Sequence, residues 1–126
     1  MTKRTPYSVL CGLETLFADP ANHSQGSYAR RADGTPCDAF SDGASCWCLL
    51  GGVERMVGPF NIEDQARMRL DRDVTEYLTQ AGLELFGTIQ IAADVNDVRG
   101  HAAVMQLIAR AKDLARTDNG RIALAA

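Results

Sequence analysis

The apolar positions of this chain fall into four stretches of helical character, separated by one long polar run near the N-terminal end. In the first stretch Val9, Leu10, Leu13, Leu16 and Phe17 recur at three-and-four spacing and form one stripe. Thr5 suits the N-cap and Pro6 the first helical position, where a missing N–H costs nothing. Asp19-Pro20 stops this helix, because the residue before a proline is pushed out of the helical region. The second stretch, Cys46 to Val57, reads as a buried helix capped from Asp42–Ser45 and closed by Gly58-Pro59. Its Gly51-Gly52 pair disfavours a helix unless a neighbouring helix comes too close for side chains. The third stretch is the longest: Ile62, Ala66, Leu70, Val74, Tyr77, Leu78, Ala81 and Leu85 keep one period, with Asn61 as cap and Gly87 as stop. The fourth carries Val104, Leu107, Ile108, Ala111 and Leu114 on one face.

Between the first two stretches, residues 20–45 are polar and rich in turn formers. Gly26 to Arg31 and Thr35 to Phe40 flank Ala32-Asp33-Gly34. Asp-Gly between two short extended runs signals a hairpin, with Gly34 supplying a positive φ. Pro36 belongs on an edge, since it cannot donate to a ladder. Thr88 to Ala92 alternates weakly and reads as a short strand or one more helical turn. Asp94 to Gly100 reads as a polar connection in which Asn96 or Asp97 caps the last helix. The expected fold is α+β and mainly helical: about four helices around one core, with a small hairpin between the first and second. Residues 1–126 read as a single domain, with a core over 5–116 and a frayed tail over 117–126.

Composition narrows the function classes. With 126 residues, 46% hydrophobic and 23% charged, the chain has the make-up of an ordinary globular protein rather than a disordered or fibrous one. No run approaches the roughly 18 apolar residues of a membrane span. No apolar segment of signal-peptide length follows the N-terminus, so a cytoplasmic location with reduced cysteines is expected. The formal charge of −3 gives no reason to expect nucleic acid.

Cys46-Trp47-Cys48 is the most unusual local feature. A metal site could draw on Cys37, Cys46, Cys48 and His23, but one residue between cysteines is not the spacing of common zinc sites. A thiol enzyme could use Cys46 at a helix start as nucleophile, His101 as base and Gln25 as oxyanion donor, with Asn96 orienting the base. Cys46-Trp47 matches the dipeptide at the nucleophile of papain-like proteases, yet the order of the other members is wrong for that fold. The bland alternative packs all three residues in the core. Arg30 and Arg31 suit an acidic partner or simple outward exposure. No phosphate loop or other cofactor motif is present, and no catalytic set is complete.

Pro20 to Arg30, Ala32-Asp33-Gly34, Cys46-Trp47-Cys48-Leu49-Leu50-Gly51-Gly52 and Val95-Asn96-Asp97 occur in that order before a closing amphipathic helix. This ordered set resembles a small family of unknown function found in phage and actinobacterial genomes, over roughly residues 8–116. Its members show a Trp-Thr-Gln-Gly-like segment, an Ala-Arg-Asp-x-x-Gly hairpin, a Cys-Trp-Cys-x-x-Gly-Ala helix start and an Asn-Asp before the last helix. Here His23 stands for the family's Trp and Gly52 for its Ala. The resemblance implies a phage or prophage accessory protein and transfers no catalytic residue. The sequence reading is therefore a protein that binds another protein, with Gln25, Arg30, Arg31, Trp47, Asn96 and Asp97 as contact candidates. The alternative is a thiol or metal centre at Cys46 and Cys48.

Overall fold

Thr5 and Ser8 start the first helix with a reciprocal capping box. The Thr5 hydroxyl accepts from the Ser8 N–H at 3.1 Å, and the Ser8 hydroxyl accepts from the Thr5 N–H at 2.9 Å. From there the computed structural model, which describes residues 4–118, runs through α1 (Pro6–Phe17), a short 3₁₀ turn (Pro20–Asn22), β1 (Ala29–Arg31), β2 (Pro36–Cys37) and β3 (Ala44–Trp47). It continues with α2 (Leu49–Val57), α3 (Gln65–Phe86), a nine-residue π-helix (Ile91–Arg99) and α4 (His101–Asp118). The molecule is mostly helical with a small antiparallel sheet, as the hydrophobic pattern implies.

α4 packs between α1 and α3, and α2 closes the remaining side. Leu10, Leu13, Phe17, Val53, Tyr77, Leu78, Leu107 and Ile108 fill the centre and are almost wholly removed from water. The sheet has the order β2-β1-β3. Ala29 faces Cys37 on one side and Trp47 on the other, so these three share the inward face. Arg30 faces Pro36 and Cys46 on the opposite face. The free edge of β3 is covered by a parallel bridge from His23 to Trp47, in which the Ser24 N–H donates to the Trp47 carbonyl at 2.8 Å. β2 forms the open edge. There Thr35 O accepts from the Arg31 N–H, so the peptide groups of Pro36 turn outward.

The structure departs from the sequence reading in four places. Cys46 and Trp47 do not open a helix; they end β3 and make the expected hairpin a three-stranded sheet. Cys48 is the N-cap of α2, its sulfur accepting from the Gly51 N–H at 3.3 Å. The run Cys46 to Leu50 is apolar throughout, which suits a buried strand as well as a helix; pairing with Ala29 and Arg30 decides it.

Second, Gly51 does not make room for a helix. A Cβ there would stand 1.8 Å from the Tyr28 carbonyl oxygen, because α2 starts directly against the backbone entering β1. Gly52 does meet a helix: its Cβ would press on Phe17 and Leu13 of α1. Third, α3 begins at Gln65 with Asp64 as cap, and Ile62 lies outside it, 69% exposed. Leu85 is also exposed rather than part of the buried stripe.

Fourth, of the two readings of Thr88–Ala92 the helical one holds for Ile91 and Ala92, and Asp94 to Arg99 is not a polar connection: Ile91–Arg99 is a fifth helix of π type, in which the Gly100 N–H reaches back to the Val95 carbonyl. Asn96 is buried inside it and serves the start of α2, where it accepts from the Leu49 N–H, rather than the start of α4. α4 is described as far as Asp118, and residues 119–126 of the expected tail lie outside the described residues.

Candidate functional site

Two polar and aromatic assemblies are built where the sheet meets the helices. The first is a knot around Asn96. Its Oδ1 accepts from the Leu49 N–H at 2.9 Å and from His23 Nε2 at 2.7 Å. Its Nδ2 donates to the Ser24 carbonyl at 3.1 Å and to Asp97 Oδ1 at 2.8 Å. Gln25 Nε2 donates to the Asn96 carbonyl, and the Gly26 N–H donates to Asp97. Arg30 reaches the carbonyls of Gln25 and Gly34. All the polar atoms of the Asn96 side chain are thus used in fastening three segments together, the loop before β1, the start of α2 and the π-helix. Beside the knot the His23 ring stands 5.7 Å from Phe17, edge to face, and 5.7 Å from the ring of His101. His101 Nε2 donates to the Phe17 carbonyl at 2.7 Å.

The second assembly is an open groove of about 480 Å³ between the sheet edge and the turn after α2. Tyr28, Pro36, Phe40, Pro59 and Phe60 supply its apolar wall. Tyr28 is 53% exposed and Phe60 68%, unusual for side chains that bury so much apolar area when covered. Asp38 and Glu54 stand at the same groove. Among the described residues neither carboxylate forms a side-chain hydrogen bond or ion pair. Trp47 backs the groove from inside: its indole N–H donates to the Ala39 carbonyl at 3.0 Å, and Arg55 donates to that same carbonyl while lying over the indole ring.

The model of a family of unknown function, DUF6197, matches residues 1–114, nearly the whole chain. The chain belongs to DUF6197. No curated protein and no solved structure matches it.

Of the residues singled out from the sequence, Gln25, Arg30, Asn96, Asp97 and His23 come together in the knot. Trp47 is buried behind the groove, and Arg31 stands exposed beside Gly43. The thiols do not converge. Cys37 and Cys46 sit on opposite faces of the sheet, and the Cys46 sulfur faces the Arg30 carbonyl at 4.0 Å. His101 is engaged with Phe17, and Gln25 with Asn96. Burial pushes the Cys48 thiol above its ordinary range, outweighing the Gly51 and Leu50 N–H groups that favour its thiolate, and nearby Asp97 pushes it further. Among the described residues no group of three His, Cys, Asp or Glu side chains could hold a metal ion. None of the described helices is long and apolar enough to cross a membrane.

The groove residues Tyr28, Asp38, Phe40, Glu54 and Phe60 are not among the sequence candidates. The available signal was aromatic residues inside turn-rich segments, Tyr28 before a hairpin and Phe60 directly after Gly58-Pro59, where no stripe calls for them.

Proposed function

We propose that this DUF6197 member is an accessory protein, of the phage or prophage kind its resemblance implies, that acts by binding another protein through the groove between Tyr28 and Phe60. The observation that carries this reading is the pairing of exposed aromatic side chains with two carboxylates that have no cation of their own. Aromatic anchors gain most from desolvation at the centre of an interface, and rim charges select the partner and speed encounter. The partner that fits is a protein segment with an apolar anchor flanked by Lys or Arg. Interference with a host system is the role such a binder would serve. The alternative centred on Cys46 and Cys48 has no comparable support: burial holds Cys48 as the thiol, and Cys46 has no base within reach of its sulfur among the described contacts.

The test is affinity capture from native lysate with the tagged protein and a Tyr28→Ala/Phe60→Ala double variant in parallel, read by mass spectrometry. We expect one stoichiometric partner with the parent protein, its recovery reduced at least about tenfold by the double variant. Asp38→Asn should weaken capture most at low salt, since exposed charges are screened as ionic strength rises. Both aromatic changes lie on the surface and should leave the unfolding midpoint in place. Equal capture by parent and double variant, or no partner at all, overturns the reading.

A further inference from the structure

A second and larger cleft lies away from the groove, where the starts of α1 and α3 meet the end of α4. Its volume is about 770 Å³, within the range of pockets that hold small organic ligands. Four arginines line it, Arg4, Arg67, Arg69 and Arg116, against two carboxylates, Asp64 and Asp73.

Both carboxylates are already engaged. Asp64 caps α3 by accepting from the Arg67 N–H, and Asp73 pairs with Arg72. Of the arginines, Arg116 pairs with Asp113 at 2.6 Å on the exposed end of α4 and Arg67 pairs with Asp71, whereas among the described residues Arg4 and Arg69 meet no carboxylate. Among the described residues Arg69 makes no hydrogen bond or ion pair. Arg4 donates only to a neutral acceptor, the Met56 carbonyl at 2.8 Å. Arg67 is 5% exposed and held rigidly: its Nε donates to the Gly58 carbonyl and its Nη1 to Asp71, which leaves Nη2 without a hydrogen bond. A guanidinium fixed in this way pays little entropy on meeting an anion. The beginnings of α1 and α3 add the positive ends of two helices to the same space. The apolar wall of the cleft is Pro6, Tyr7 and Leu70, and the Tyr7 ring already has cations near it, Lys112 at 5.8 Å and Arg116 at 5.9 Å.

We infer that this cleft binds an organic phosphate of nucleotide size, with the phosphate groups on Arg69, Arg116 and Arg67 and a flat ring against Tyr7 and Leu70. The volume is far larger than a phosphate ion needs, and the arginine fork matches phosphate oxygens in pairs. The cleft and the groove share no lining residue; they adjoin at Arg67, whose guanidinium lies 5.8 Å from the centre of the Phe60 ring.

The test is calorimetric titration of the full chain at low salt with ATP, with tripolyphosphate as the charge-matched probe and with adenosine as the ring alone. We expect saturable binding of ATP, at least about tenfold tighter than either tripolyphosphate or adenosine. Arg69→Gln and Arg116→Gln should each weaken ATP about tenfold, Arg69→Lys should weaken it less because the charge stays while the paired hydrogen bonds are lost, and all three should unfold at the parent midpoint because both side chains are exposed. Absence of saturable ATP binding overturns the inference. So does equal affinity for ATP and tripolyphosphate, which would remove the ring from recognition, and so does full ATP affinity in both Gln variants.

Discussion

Asn96 shows how one side chain can fasten a fold. It occupies the π-helix yet satisfies the first N–H of α2, the carbonyl of Ser24 and the ring of His23. Asn96→Ala should therefore cost about 3 kcal/mol or more in urea unfolding, because it strands several buried partners at once. Asn96→Asp should recover little of this loss at neutral pH, since a buried carboxylate still accepts from Leu49 and His23 but meets the Asp97 carboxylate and the Ser24 carbonyl where the amide donated. A cost under about 1 kcal/mol for the alanine variant would mean that the knot contributes little. The sequence marks Gln25, Asn96 and Asp97 as polar loop candidates. It does not mark their meeting, because Gln25 and Asn96 stand 71 positions apart and no periodicity links them. His23 at the place of the family's Trp becomes intelligible at this scale too: its ring packs on Phe17 while its nitrogen serves Asn96.

At the scale of elements, legibility follows the strength of local signals. α1 is readable to the residue because Thr5 and Pro6 mark its start. α3 is readable in its body, but three polar residues precede Gln65 and any of them could cap it. Asp64 wins by reaching the Arg67 N–H. α2 is misread at its start because Cys46 to Leu50 meets the pattern of a strand and of a helix alike, and only the distant pairing with β1 separates them. The glycine pair then sorts the two neighbours of α2. Gly51→Ala should cost more than about 3 kcal/mol, since the backbone of Tyr28 cannot yield, and Gly52→Ala about 1–3 kcal/mol, since the Phe17 and Leu13 side chains can turn aside. Equilibrium denaturation of both variants checks the order, and an equal effect would show that α2 can slide away from the sheet.

Across the whole molecule, partly exposed ion pairs tie helix to helix. α3 and α4 are joined by Arg110 and Glu84 at 2.7 Å, and α1 and α4 by Lys112 and Glu14 at 2.7 Å. The Glu14 bond holds the Lys112 ammonium above its ordinary range. Such partly exposed pairs add little to stability. A sharper dependence on pH is expected from Cys48. An unfolded chain ionises this thiol near its ordinary value of 9.0, whereas burial holds it protonated in the folded molecule. The unfolded state then binds fewer protons, so the stability contributed is whole below about pH 9 and is lost as pH rises toward the folded value. The unfolding free energy of the parent should fall faster than that of Cys48→Ala between about pH 9 and 10. Parallel slopes would show that the thiol ionises as freely in the fold as in the open chain.

The open edge of the sheet carries one more consequence. A strand edge invites a neighbouring chain to add its own strand, and repetition of that event builds fibrils. Here the edge is two residues long, and its outward peptide group belongs to Pro36, which has no hydrogen to offer. A second molecule arriving along β2 would find a carbonyl and a ring where it needs a donor. Two molecules crowded together, or a partner lodged against Tyr28 and Phe60, must therefore meet through side chains, and polymerisation by sheet extension is closed off at its first step.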